Sequence, residues 1–285
     1  MKKKRVLDIL MFIVMIGGLG ALLYPLVGDA LNNYWNQQVI NYYQENANAE
    51  NQQAIQQEQA RIKEENKKIA KAGVPGNDPF TKKEQQPTKN EKSYYQKHTI
   101  AVIRIPKIGV SLPVFDQTDE LFLKRGAALL EGTSYPSGGK DTHTVITSHR
   151  GLKEAKLFSD LPKIKKGDHF YLEHNKQTLA YKVDQIQTIE PTEVETLNIV
   201  EGKDYVTLMT CTPYGVNSHR LLVRGVSVPF GDEMKKNLVE ADQGQQKKYL
   251  GVTLFSLLLT IGVSGIAFKR VRNRRKGKDI SDTSK

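Results

Sequence analysis

Apolar residues fall along this chain in distinct regimes. From Ile9 to Val27, and again from Tyr249 to Phe268, they run without a charged residue. Each run is close to the ~20 residues that carry a helix across a bilayer core. A soluble helix keeps a polar face, so both runs are read as transmembrane helices, over residues 9–28 and 249–268. Between them the pattern changes twice. Apolar residues first thin to a stripe at Leu31, Trp35, Val39 and Tyr42, then Ile55, Ile62 and Ile69, in a background of Gln, Asn, Glu and Lys. That spacing predicts one or two juxtamembrane helices within 29–72, each packing one narrow face on a domain. Gly73-Val74-Pro75-Gly76-Asn77-Asp78-Pro79-Phe80 then breaks the helical pattern, and residues 73–92 read as a loop.

The third regime lies within 93–230. Short β-rich runs recur at 100–105, 112–115, 144–147, 170–172, 178–183, 205–210 and 221–226, separated by Gly, Pro, Asn and Asp. They predict a mainly β domain, a mixed or antiparallel barrel. Residues 231–248 are polar and read as the link to the second apolar run. There is no internal repeat.

Charge gives this arrangement a direction. The mean hydropathy of −0.48 averages over the two apolar runs and conceals them. The net charge of +11 raises nucleic acid as a partner, but its distribution points elsewhere. Lys2, Lys3, Lys4 and Arg5 precede the first run; Lys269, Arg270, Arg272, Arg274, Arg275, Lys276 and Lys278 follow the second. Basic residues flanking a span mark its cytoplasmic side. Residues 1–8 and the basic tail 269–285 are therefore placed in the cytoplasm, with 29–248 outside and no nucleic-acid role. The basic head and apolar body also look like a secretory signal, with Gly28-Asp29-Ala30 as a small-residue cleavage site; cleavage would remove one anchor and leave the domain exported.

The chain has one cysteine, Cys211, which excludes an internal disulfide. It follows the strand-like Thr207-Leu208-Met209-Thr210 and precedes Thr212-Pro213; His149 follows Val145-Ile146-Thr147-Ser148 in the same way. Arg220 opens the next run, Leu221-Leu222-Val223-Arg224. Strand ends hold side chains rigidly while loops admit substrate. A thiol needs help to ionise, an imidazole can protonate a leaving amine, and a fixed guanidinium can hold a carbonyl oxyanion. Such a trio could form and resolve a thioester. A structural buried cysteine is an equally ordinary reading. His98, His143, His169, His174 and His219 compete with His149, and Arg224 competes with Arg220. Neither the ligand spacing of a metal site nor a glycine-rich phosphate loop is present, so no metal or cofactor is expected.

Thr207-Leu208-Met209-Thr210-Cys211 matches the TLxTC motif, and with its continuation to Gly225 the chain resembles the sortases, specifically their class C, pilus-building branch. The resemblance covers roughly residues 75–230 and the two-anchor layout. It implies a closed eight-stranded β-barrel with N-terminal helices and flanking transmembrane helices. It makes Cys211 the nucleophile, His149 the acid–base and Arg220 the stabiliser of the substrate oxyanion. Asp78, Pro79 and Phe80 are similar to the lid motif of that branch, with Asp78 pairing Arg220 and Phe80 covering Cys211. One departure is Ser148, where many relatives carry Gly. The implied partners are pilin subunits with an LPxTG-like sorting signal and an acceptor lysine, joined by an isopeptide bond. Alternatives are a sortase that anchors proteins to the cell-wall precursor and a catalytically silent surface assembly or adhesion module. A papain-like hydrolase would put its cysteine on a helix, unlike the β-rich run here.

Overall fold

The computed structural model describes residues 2–50, 52–74, 78, 80 and 91–282. Helix α1 (Lys2–Ala49) runs unbroken through the first apolar run, Pro25 and Gly28-Asp29-Ala30, and α2 (Gln52–Ala72) follows. After α3 (Glu91–Lys97) come the strands β1 (Thr99–Ile105) and β2 (Val110–Phe115), then the short helix α4 (Glu120–Leu123). The remaining strands are β3 (Ala127–Leu129), β4 (Thr142–Thr147), β5 (His169–His174), β6 (Gln177–Ile189), β7 (Asp204–Thr212) and β8 (His219–Val228). Helix α5 (Asp232–Asp282) closes the chain.

The strands form one closed barrel in the order β1-β2-β3-β4-β7-β8-β6-β5. Pairs β2·β3 and β4·β7 are parallel and the others antiparallel, so the barrel is mixed. Closure removes the exposed edges that an open sheet would present. Side chains alternate across the wall. Ile146 of β4, Val206 and Leu208 of β7, and Leu221 and Val223 of β8 join the main core with Ile103, Leu112 and Phe170. Their neighbours Val145, Met209 and Leu222 face the other way, into a second apolar cluster with Leu130, Ile189 and Leu197. Both faces of these strands are covered, which is why they read as nearly continuous apolar runs.

The helices clothe the barrel. Trp35 and Val39 of α1 meet Tyr95, Phe115 and Phe122 in a third cluster, where Trp35 and Tyr95 pack edge to face at 4.7 Å. The sparse stripe of α2 seats Ile62 and Asn66, both buried, and Asn66 Oδ1 accepts the Tyr135 backbone N–H at 2.8 Å. The link to the second apolar run is helical from Asp232 onwards, the first part of α5. Met234 and Leu238 pack on Tyr171 and Ala180, and Asp242 pairs with Arg104 at 3.2 Å. The spacing of four places all three on one helical face.

Among the described residues, one helix is long and apolar enough to cross a membrane, within Ile13–Ala49 of α1. Its apolar window is only 6% buried, and Met11, Val14, Leu22 and Leu26 stand exposed. The second apolar run lies inside α5, where Leu250, Leu254, Phe255 and Leu258 are also exposed.

Candidate active site

Cys211 is the penultimate residue of β7, and Arg220 is the second residue of β8. In the antiparallel register the two stand directly opposite, where side chains on one face are neighbours. Both share the outward parity of Met209 and Leu222 and so sit over the second apolar cluster. His149 lies two residues beyond β4, which runs parallel to β7 and is bonded to it. The tie continues past the strand ends: the Ser148 N–H donates to Met209 O at 3.2 Å, and Thr210 Oγ1 donates to Ser148 O at 2.7 Å. Ser148 is fully buried and donates through Oγ to Gly126 O at 2.7 Å. The small hydroxyl fits and adds an anchor just before His149.

Arg220 is 5% exposed, and each nitrogen of its guanidinium has a partner. Nη1 donates to Asn217 O at 2.9 Å and to His219 O at 2.8 Å, while Nε donates to Asp78 Oδ1 at 3.1 Å. Nη2 pairs with Asp78 Oδ2, making a two-pronged ion pair. Phe80 lies against both Arg220 and His149. The Arg220 guanidinium lies over its ring at 5.1 Å, and the His149 ring is 5.6 Å from it on a tilt. Phe80 also packs on the second and third apolar clusters, the former together with Val74. Pro79 lies outside the described residues.

The Cys211 thiol is 5% exposed, and burial pushes its pKa up. The Arg220 charge pulls it down, and the Asp78 carboxylate raises it again. With Asp78 in place the thiol is therefore held towards its protonated form, although a guanidinium stands beside it.

The competing residues have other employment. Arg224 binds Asp184 through Nη2 at 2.7 Å and lies over Tyr205 at 4.2 Å. His143 is buried between Asn198 O and Thr207 Oγ1, and burial lowers its pKa. His174 bonds Ile100 O at 2.8 Å, and His98 pairs with Asp116 at 3.0 Å. His219 bonds Ser218 Oγ and Glu190, and His169 opens β5 opposite Lys182. Two further residues adjoin the site without having been singled out from sequence. Glu120 Oε2 is 3.1 Å from His149 Nε2. Arg150 Nη1 donates to Thr212 Oγ1 at 3.1 Å and lies over the exposed Tyr214 ring at 5.8 Å. Among the described residues no three His, Cys, Asp or Glu side chains converge as in a metal site.

Comparison with known proteins places this geometry in context. Residues 103–228 match the Sortase domain family. The fold is similar to the crystal structure of sortase C1 from Streptococcus agalactiae, at 40% identity and TM-score 0.62, over 69% of this chain and 97% of that one. It is also similar to sortase C of Streptococcus pneumoniae, whose substrates are pilins, at 44% identity and TM-score 0.54, over 68% of this chain and 97% of that one. Sortase A of Bacillus anthracis is 34% identical over 143 residues, which cover 50% of this chain and 64% of that relative; the match thus spans under two thirds of that curated relative's length.

Proposed function

The chain belongs to the sortase family, and from that premise we propose that it is a class C cysteine transpeptidase that polymerises pilins outside the cytoplasmic membrane. Cys211 attacks the carbonyl carbon of the Thr–Gly bond in an LPxTG-like sorting signal. A carbon–sulfur bond forms, the C–N bond breaks, and His149 gives a proton to the departing glycine amine. Arg220 donates hydrogen bonds to the oxyanion of each tetrahedral intermediate. A lysine ε-amine of the next pilin then attacks the thioester. His149 takes the amine proton, an isopeptide bond forms and the thiolate leaves.

The observation that carries this reading is the direct opposition of Cys211 and Arg220 across β7 and β8. Substrate and Asp78 compete for the same guanidinium, so Asp78, Pro79 and Phe80 act as a lid that must leave before chemistry. Departure of Asp78 also removes one cause of the raised thiol pKa and leaves the lowering influence of Arg220. The vacated apolar face around Val145, Met209 and Leu222 suits the apolar residues of a sorting signal. The apolar α1 supports anchoring in the membrane, with 249–268 as the second span, both chain ends cytoplasmic and the barrel outside.

A sortase that attaches proteins to the cell-wall precursor would use the same thiol. The Asp78–Arg220 pair and the likeness to sortase C structures favour pilin polymerisation. Incubation of the full-length enzyme with a candidate pilin should give a ladder resistant to SDS, lost in Cys211→Ala. A ladder that survives Cys211→Ala would refute the thioester route, and pilin joined only to a wall-precursor amine would establish the anchoring reading instead.

A further inference from the structure

We infer that Glu120 is the positioning residue of His149, holding the ring proton on Nε2 so that Nδ1 is the nitrogen that exchanges protons with substrate. The inference rests on the transpeptidase reading and adds Glu120 behind the imidazole as a fourth group. An ionised carboxylate only accepts hydrogen bonds. The 3.1 Å contact between His149 Nε2 and Glu120 Oε2 is then an Nε2–H donation, which fixes both the tautomer and the plane of the ring. Acid–base catalysis at one imidazole nitrogen commonly depends on such a group at the other.

A histidine beside a carboxylate is not rare in this chain, since His98 meets Asp116 and His219 meets Glu190. Placement distinguishes Glu120. The histidine it holds follows β4, the strand bonded to the one that carries Cys211. Glu120 is also held firmly. It is the first residue of α4, whose N-cap Asp119 accepts the Phe122 N–H at 2.9 Å. Leu121, Phe122 and Leu123 behind it are all buried. Among the described residues the His149 ring also meets Phe80, a contact that goes when the proposed lid opens. Glu120 stays with the barrel, so it is the group that keeps the imidazole aimed in the open enzyme.

The test uses full-length enzyme in nanodiscs with ¹⁵N-labelled histidine. In wild type the neutral His149 ring should carry its proton on Nε2, and in Glu120→Ala it should become a mixture of tautomers. With a sorting-signal peptide, Glu120→Ala should lose at least about tenfold in kcat for thioester formation, part of the 10²–10⁴-fold that general acid–base catalysis supplies, while KM stays within about twofold. Glu120→Gln, which retains an acceptor oxygen, should restore the tautomer and part of the rate. A proton on Nδ1 in the wild-type ring overturns the inference whether or not the alanine variant folds. Thioester formation at wild-type kcat in folded Glu120→Ala sinks this inference alone. A wild-type enzyme that forms no thioester sinks the transpeptidase reading beneath it.

Discussion

Asp78 and Arg220 form an ion pair whose side chains are only 14% and 6% exposed, and under the proposed mechanism this pair separates before substrate reaches the guanidinium. Burial does not make such a pair strong, because the cost of desolvating both charges offsets much of their attraction. Arg220 also donates to Asn217 O and His219 O, bonds independent of Asp78 that would keep the guanidinium from being stranded. Asp78→Ala is therefore expected to speed maleimide labelling of Cys211, by about tenfold for each 1.4 kcal/mol of lid stabilisation lost. Its pH profile should also move down. Asp78 raises the thiol pKa and Arg220 lowers it, so removal of the carboxylate brings the thiolate in at lower pH. Labelling with wild-type rate and pH midpoint would remove Asp78 from the lid. At this scale Cys211, His149, Arg220, Asp78 and Phe80 were singled out from the sequence, and the structure sets Arg220 opposite Cys211 with Asp78 and Phe80 against it and His149 against Phe80. Glu120 was not among them. It is 29 residues from His149, in a stretch outside the strand-like runs and motifs singled out from the sequence.

The strands that hold the site depend on close packing between their faces. Gly225 of β8 lies against Phe170, where a Cβ would come within 2.7 Å of two ring atoms and 2.9 Å of Tyr181 Cβ. Phe170 stacks on Tyr181 at 5.6 Å inside the core, so neither ring can retreat freely. Gly225→Ala should destabilise the protein by about 1–3 kcal/mol, the usual cost of overpacking a core. The measurement is the thermal midpoint, and an unchanged Tm would contradict the packing argument. Seven strands were legible as β-branched and apolar runs between turn residues. β3 was not, because Ala127-Ala128-Leu129 is three residues long and carries no β-branched side chain. It exists through its neighbours, pairing parallel to β2 and antiparallel to β4. Residues 231–248 read as a polar link because their helical face holds only a few apolar anchors. Met234, Leu238 and Asp242 become meaningful once Tyr171 and Arg104 are present to receive them.

The whole molecule joins a barrel to two long helices that each carry an apolar run. Asp29 of α1 accepts from the Lys156 backbone N–H at 2.8 Å and from Tyr249 Oη of α5 at 3.0 Å, tying both long helices to the barrel and to each other. With basic residues beyond each apolar run, both chain ends should face the cytoplasm. Single cysteines placed at 45 and 240 in a Cys211→Ala background should then react with an impermeant maleimide on intact cells. Cysteines at 4 and 280 should react only after lysis. Labelling of residue 280 on intact cells would overturn the two-span topology. The most direct test of the central claim is intact-mass spectrometry of the full-length Asp78→Ala enzyme after exposure to an LPxTG-like peptide. The expected result is an added acyl mass that maps to Cys211, is released by hydroxylamine, and is absent from Cys211→Ala. An enzyme that remains unmodified, or an acyl group mapped to any other residue, would contradict it.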